Sequence, residues 1–195
     1  MRPIFVTGFC RSGTTMLRRI ISMHPSLSAD LIHEGRKLMT YDTAEDALNN
    51  YVETNAWIGS GEKLPYYSNG MGVVAYINHF IDLFPEHLIF NIIRNRNDCA
   101  KSCHKTFGYD EVGAREVYKN NVPFVNSVLR DDSHNFEVYY DMLLDDPFGI
   151  VEQIYSIIGY CPEKEYINKV VSTKDKWKSA NGRMQCGLRY KERVE

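Results

Sequence analysis

Arg11, Ser12, Thr14 and Thr15 crowd around Gly13 just after a short apolar run. A cation, three hydroxyls and a bare backbone have little to do in a core, but together they suit an oxyanion. Gly8 and Gly13 stand at G-x4-G, the spacing of a phosphate-binding loop. Thr14 occupies the place where the nucleotide-kinase version of that loop carries lysine, and the cation has moved to Arg11. A second group follows the apolar run at residues 87–93: Arg94, with Asp98 and Ser102 at four-residue steps beyond it. Those steps put Asp98 and Ser102 on one helix face. Guanidinium and hydroxyl are a sensible pair for a second phosphate, with Asp98 orienting them or capping the helix.

The first group needs a strand and a helix to present it. Ile4-Phe5-Val6 predicts a buried strand, and residues 14–23 predict a helix with Met16, Leu17, Ile20 and Ile21 on one side. Strand, glycine turn and helix aim backbone N–H groups and a helix N-terminus at an anion. The plainer reading is an ordinary turn in which Gly relieves the backbone and Thr caps the helix.

Further elements follow from punctuation and period. His24-Pro25 ends the first helix. Residues 26–32 suggest a short strand that delivers His33-Glu34-Gly35-Arg36 to an edge, and residues 42–52 a helix. Residues 58–69 read as a loop around Glu62-Lys63-Leu64-Pro65, and residues 71–84 as a helix stopped by Pro85. Residues 87–93 are nearly continuous in apolar side chains, as a central parallel strand should be. Helices are expected at 97–107 and 111–129, the latter kinked or divided by Pro123. A strand at 136–140 and a helix opened by Asp146-Pro147 and running to residue 158 complete the series. Strands alternating with helices predict a three-layer α/β/α fold with a central parallel sheet, like that of P-loop NTPases. Ligands of such sheets sit at the carboxyl ends of the strands, where the glycine loop, Arg94 and Tyr140 should gather.

At 195 residues the chain suits a single domain, spanning residues 1–195, with a sizeable core. A net charge of −2 argues against general nucleic-acid binding, and the one basic excess lies at residues 174–193. Five cysteines are an odd number without framework spacing, so free thiols in a reducing compartment are expected. Cys99, Cys103 and His104 could share a helix face, but no second ligand pair accompanies them and no metal site is expected. The first apolar run is too short for a signal peptide and no stretch has the length of a membrane span. A cytoplasmic protein without a membrane partner is expected, unless a longer precursor was trimmed.

The two anion motifs together resemble those of sulfotransferases that use 3′-phosphoadenosine 5′-phosphosulfate (PAPS) and release the bisphosphate PAP. Phe5-Val6-Thr7-Gly8-Phe9-Cys10-Arg11-Ser12-Gly13-Thr14-Thr15 is similar to their 5′-phosphosulfate loop. Ile93-Arg94-Asn95-Arg96-Asn97-Asp98-Cys99-Ala100-Lys101-Ser102 is similar to their 3′-phosphate motif, although Arg96 stands where members usually have proline. Val138-Tyr139-Tyr140-Asp141 and the residues up to Pro147 resemble the segment supplying an adenine-contacting aromatic, here Tyr140 with Tyr139 as rival. The resemblance implies sulfonate transfer from PAPS to a hydroxyl or amine of a small-molecule, carbohydrate or peptide acceptor. Ser12, Gly13, Thr14 and Thr15 would then hold the 5′ end, and Arg94 and Ser102 the 3′-phosphate.

The His24-Pro25…Glu34 pattern resembles the tyrosylprotein and bacterial subgroup that uses a glutamate base, with His33 as the other candidate. Lys63 resembles the lysine of that subgroup's Lys-x-Pro segment, facing the bridging oxygen, and Arg11 would work beside it. A further phosphate contact could come from Arg183 or Arg189. Most members are longer, which bears on acceptor binding more than on the cofactor site. No divalent ion is implied, because the loop has no lysine and the neighbouring strand ends in Arg94 rather than an acid. The competing functions are a small nucleotide-dependent kinase and a non-catalytic adenine-nucleotide-binding module.

Overall fold

Alternate residues of the apolar strands face opposite ways, and that alternation divides the core into two. The structure is a computed structural model that describes residues 4–24, 61–64, 70–159 and 162–173, with backbone alone at 61–64, 70–73 and 76. The readings at residues 26–32 and 42–52, His33, Glu34, Cys161, Arg183, Cys186 and Arg189 lie outside the described residues.

The described elements are β1 (Ile4–Phe9), α1 (Thr14–Ser22), β2 (Gly61–Leu64), α2 (Gly70–Leu83), β3 (Leu88–Ile93), α3 (Arg96–Phe107), α4 (Glu111–Arg130), β4 (Asn135–Tyr139), α5 (Tyr140–Asp145), α6 (Pro147–Ile158) and α7 (Lys164–Ser172). Among the described residues the four strands form one parallel sheet in the order β2-β1-β3-β4. Phe5, Phe9 and Ile89 point into one core with Ile77 and Phe80 of α2, Cys99 and Cys103 of α3, and Val125 and Leu129 of α4. Ile4, Val6, Leu88, Phe90 and Ile92 point into the other, with Met16, Leu17, Ile20 and Ile21 of α1, Val151, Ile154 and Tyr155 of α6, and Val170 of α7. This is the expected three-layer α/β/α arrangement. Each fully buried Leu or Ile contributes about 1.5–3 kcal/mol, so the paired cores hold the sheet edge rigid beneath its loops. Tyr155, also fully buried, donates its hydroxyl to the Ile20 carbonyl at 2.9 Å and ties α6 to α1.

Several expectations need correction. The loop read at residues 58–69 contains β2, whose Gly61 to Leu64 pair in parallel with Val6 to Phe9. Its Gly-Glu-Lys-Leu sequence has poor strand propensity, and pairing to β1 overrides it. Pro123 does not divide its helix: α4 continues through it to Arg130. Buried Val122, Val125 and Leu129 on either side of the proline offset its cost of about 3 kcal/mol. The chain leaves β4 at Tyr139 and Tyr140 begins a helix. Helices α5 and α7 were not anticipated. Thr14 does not cap α1 from outside; Gly13 holds the cap position, and no side-chain cap bond is made there. Asp98 is not the cap of α3 either, since the Asn95 side chain accepts from the Asn97 N–H at 2.8 Å. His104 is exposed while Cys99 and Cys103 are buried, so the three do not share a face. Among the described residues no helix is long and apolar enough to cross a membrane.

Candidate active site

The carboxyl ends of β1, β3 and β4 converge, and each delivers one part of a cationic cluster. From β1 the chain turns through Cys10 to Gly13, closed by a Ser12 N–H to Phe9 carbonyl bond of 2.9 Å. Two glycines make the turn fit. A Cβ on Gly8 (φ +152°) would lie 2.6 Å from both the Ile92 carbonyl oxygen and the Ser12 hydroxyl. On Gly13 (φ +113°) it would lie 2.8 Å from the Tyr140 ring. Side chains there would push the turn off β3 and Tyr140 off the turn.

Arg11 itself has φ 67°, a left-handed conformation that non-glycine residues rarely adopt. Two contacts hold it. The Arg94 Nη1 donates to the Arg11 carbonyl at 3.0 Å, and the Arg11 Nε donates to the Ser102 hydroxyl at 3.1 Å. The loop and the Arg94–Ser102 group are therefore in direct contact, although 83 and 91 residues separate the partners. The Arg11 guanidinium also lies 5.8 Å from the Phe107 ring centre. The Arg94 guanidinium stacks 4.2 Å from the centre of the Tyr140 ring, which makes Tyr140 the wall of the cluster. Tyr139 points elsewhere, exposed and donating its hydroxyl to Glu137 at 2.7 Å.

Ser12 is fully buried and Thr14 nearly so, whereas Thr15 is half-buried at the start of α1. Lys63 pairs in register with Gly8, so its backbone stands beside the entry to the loop. Glu34 is not among the described residues.

Electrostatics set the cluster apart. Among the described residues neither Arg11 nor Arg94 has a carboxylate partner. Among the described residues the buried Ser12 hydroxyl and the Arg94 Nε have no hydrogen-bond partner. Cations without counter-charges and buried polar atoms without partners are costly, and an anion at this edge would offset both. The first N–H groups of α1, which have no intrahelical acceptors, sit at the same edge.

The support beneath is neutral. Burial pushes the Cys99 thiol up to about 12. A hydrogen bond with Cys10, and then burial, push Cys103 well above the ordinary thiol range. Both therefore stay protonated, and the Cys103 thiol faces the Cys10 carbonyl at 3.9 Å, anchoring the turn. Tyr118, its hydroxyl shifted upward mainly by burial, donates to the Arg94 carbonyl at 2.9 Å and packs edge-on against Phe9 at 4.8 Å. Sequence reasoning missed Tyr118 and Phe107, because only the docking of α3 and α4 brings them to the cluster.

Three solved structures share this architecture. The sulfotransferase domain of the Synechococcus olefin synthase superposes with a TM-score of 0.64 at 14% identity, covering 96% of this chain and 92% of its own. Sulfotransferase STF1 of Mycobacterium tuberculosis gives 0.57 at 16% identity, over 88% of this chain and 71% of that one. Mouse sulfotransferase SULT7A1, solved in complex with PAP, gives 0.58 at 14% identity, over 89% of this chain and 63% of the mouse chain. The fold is that of the sulfotransferases. No protein-family model and no curated protein sequence matches the chain.

Proposed function

We propose that this sulfotransferase-fold chain, acting as a single domain, moves a sulfonate group from PAPS to a hydroxyl or amine of an acceptor. The observation that carries the reading is a pair of arginines without carboxylate partners among the described residues, Arg94 donating to the Arg11 backbone carbonyl and the Arg11 Nε to Ser102 at the sheet edge. The buried Ser12 hydroxyl and Arg94 Nε, each without a partner among the described residues, suit a donor with a phosphate at either end of its ribose. PAPS supplies the activated sulfonate; positioning and proton handling belong to the protein.

Arg94 and Ser102 bind the 3′-phosphate, and Tyr140 presents its ring to the adenine. Ser12, Gly13, Thr14 and Thr15 hold the 5′ end with the N–H groups of α1. Arg11 anchors Ser102 through Nε and keeps its terminal nitrogens for charge that develops on the transferred group. Lys63, in register with Gly8 beside the loop, meets the bridging oxygen. Glu34 takes the acceptor proton as the oxygen or nitrogen attacks. The subgroup resemblance of the His24-Pro25…Glu34 pattern supports that last role.

Release of PAP from PAPS in the presence of candidate hydroxyl and amine acceptors tests the reading. Glu34→Gln should lower turnover about 10²- to 10⁴-fold while PAP affinity stays within twofold. Full turnover in Glu34→Gln moves the base elsewhere, and no acceptor-dependent release with any acceptor class overturns transfer.

A further inference from the structure

At the other end of the sheet, roughly 20 Å from the arginine cluster by strand length, the turns entering β3 and β4 bring three potential ligands together. His87, Asp132 and His134 each offer one donor atom, and these atoms all lie within 4.8 Å of one another. The His87 Nε2 is 2.7 Å from the Asp132 carboxylate, and the His134 Nδ1 is 3.6 Å from its other oxygen. We propose that His87, Asp132 and His134 form a binding site for a divalent transition metal, with Zn²⁺ the best fit.

The three donor atoms are near enough for one ion to reach them all after small side-chain rotations. Metal–ligand bonds of about 2.0–2.2 Å put neighbouring ligand atoms roughly 3.3–3.5 Å apart, so seating an ion requires the His87–Asp132 pair to open from its 2.7 Å hydrogen-bond distance. Ligand chemistry narrows the ion. Two imidazoles and one carboxylate suit Zn²⁺, Co²⁺ or Ni²⁺, whereas Ca²⁺ and Mg²⁺ require more oxygens.

Outer contacts are already in place. The His87 Nδ1 lies 2.6 Å from the Phe84 carbonyl, which can only accept, so it carries the proton. A metal on Nε2 would replace the hydrogen bond that joins this nitrogen to Asp132. A backbone acceptor on the far nitrogen is the usual support of a metal-bound histidine. The Asp132 Oδ1 accepts the His134 backbone N–H at 2.9 Å, which fixes the carboxylate. The Ile89 N–H to His134 carbonyl bond, also 2.9 Å, locks one turn to the other strand.

Access is one-sided. The His87 side chain is 3% exposed and Asp132 11%, but His134 is 36% exposed and leaves a solvent-facing fourth position. Such an ion would clamp the amino ends of β3 and β4 and stabilise the sheet without touching the anion site.

The test uses the full chain, stripped with chelator and titrated with ZnCl₂ by calorimetry, with native mass spectrometry for stoichiometry. One Zn²⁺ per chain should bind and raise the melting temperature, and Co²⁺ should give the intense visible absorption of a tetrahedral centre. His134→Ala, at the exposed ligand, should weaken Zn²⁺ at least tenfold and abolish the thermal shift. His104→Ala, on a different surface, should change neither. No stoichiometric binding, or unchanged affinity in His134→Ala, overturns the proposal; if His87 or Asp132 variants do not fold, His134→Ala still decides.

Discussion

Arg94 reaches in three directions: its side chain to the Arg11 carbonyl and the Tyr140 ring, its own carbonyl to Tyr118. Truncating it should weaken PAP binding roughly ten- to a hundredfold, since hydrogen bonds to charged groups are worth about 1.5–3 kcal/mol. Ser102→Ala should cost less, because Arg11 can move its Nε toward an anion. Calorimetric titration of both variants checks the order. Gly8 is a harder constraint. Gly8→Ala puts a Cβ 2.6 Å from the Ile92 backbone oxygen, and backbone cannot swing aside. We expect a loss of about 2–4 kcal/mol in urea denaturation, with PAP binding falling alongside. At this scale the sequence was informative wherever chemistry is local. The loop hydroxyls, Arg11, Arg94 and the four-residue step to Ser102 could be read from type and spacing. Tyr118 and Phe107 could not, because their place depends on how α3 and α4 dock. Nor could the direct Arg11–Ser102 bond, which joins two groups that looked separate along the chain.

Element α3 (Arg96–Phe107) carries Ser102 on its open side and the neutral thiols Cys99 and Cys103 on its buried side. A thiol held at about 12 in the fold, against 9.0 ordinarily, binds its proton more tightly folded than unfolded. Its stabilising contribution is therefore complete below pH 9.0 and is lost as pH rises toward about 12. Stability should fall across that window by up to about 1.4 kcal/mol per pH unit for this thiol. Cys99→Ala should flatten that slope, as read from urea midpoints; an unchanged slope would deny the thiol that role. Removing the Asn95 cap with Asn95→Ala should cost about 1 kcal/mol in the same measurement. Helix existence was legible from apolar period, yet caps and ends were not. Asn95 rather than Asp98 caps the start of α3, and α4 passes through Pro123, because local signals compete and packing decides. β2 was missed for the same reason: a Gly-Glu-Lys-Leu strand is defined by its partner β1.

Across the whole molecule, strands alternating with helices were enough to anticipate a parallel sheet covered on both faces. The gathering of the glycine turn, Arg94 and Tyr140 at one edge follows from that topology, since each comes directly after a strand. The His87–Asp132–His134 group at the opposite edge was not legible, as 45 residues separate its first two members. Only the adjacency of β3 and β4 joins them. The proposed function requires Arg11, Arg94 and the first turn of α1 to receive a bisphosphorylated adenosine without a divalent ion. Calorimetric titration with PAP in excess chelator, set beside ATP with magnesium, decides this. One equivalent of PAP should bind at least tenfold more tightly than ATP, with that advantage lost in Arg94→Ala. Magnesium-dependent ATP binding that exceeds PAP binding, or PAP binding indifferent to Arg94→Ala, would contradict it.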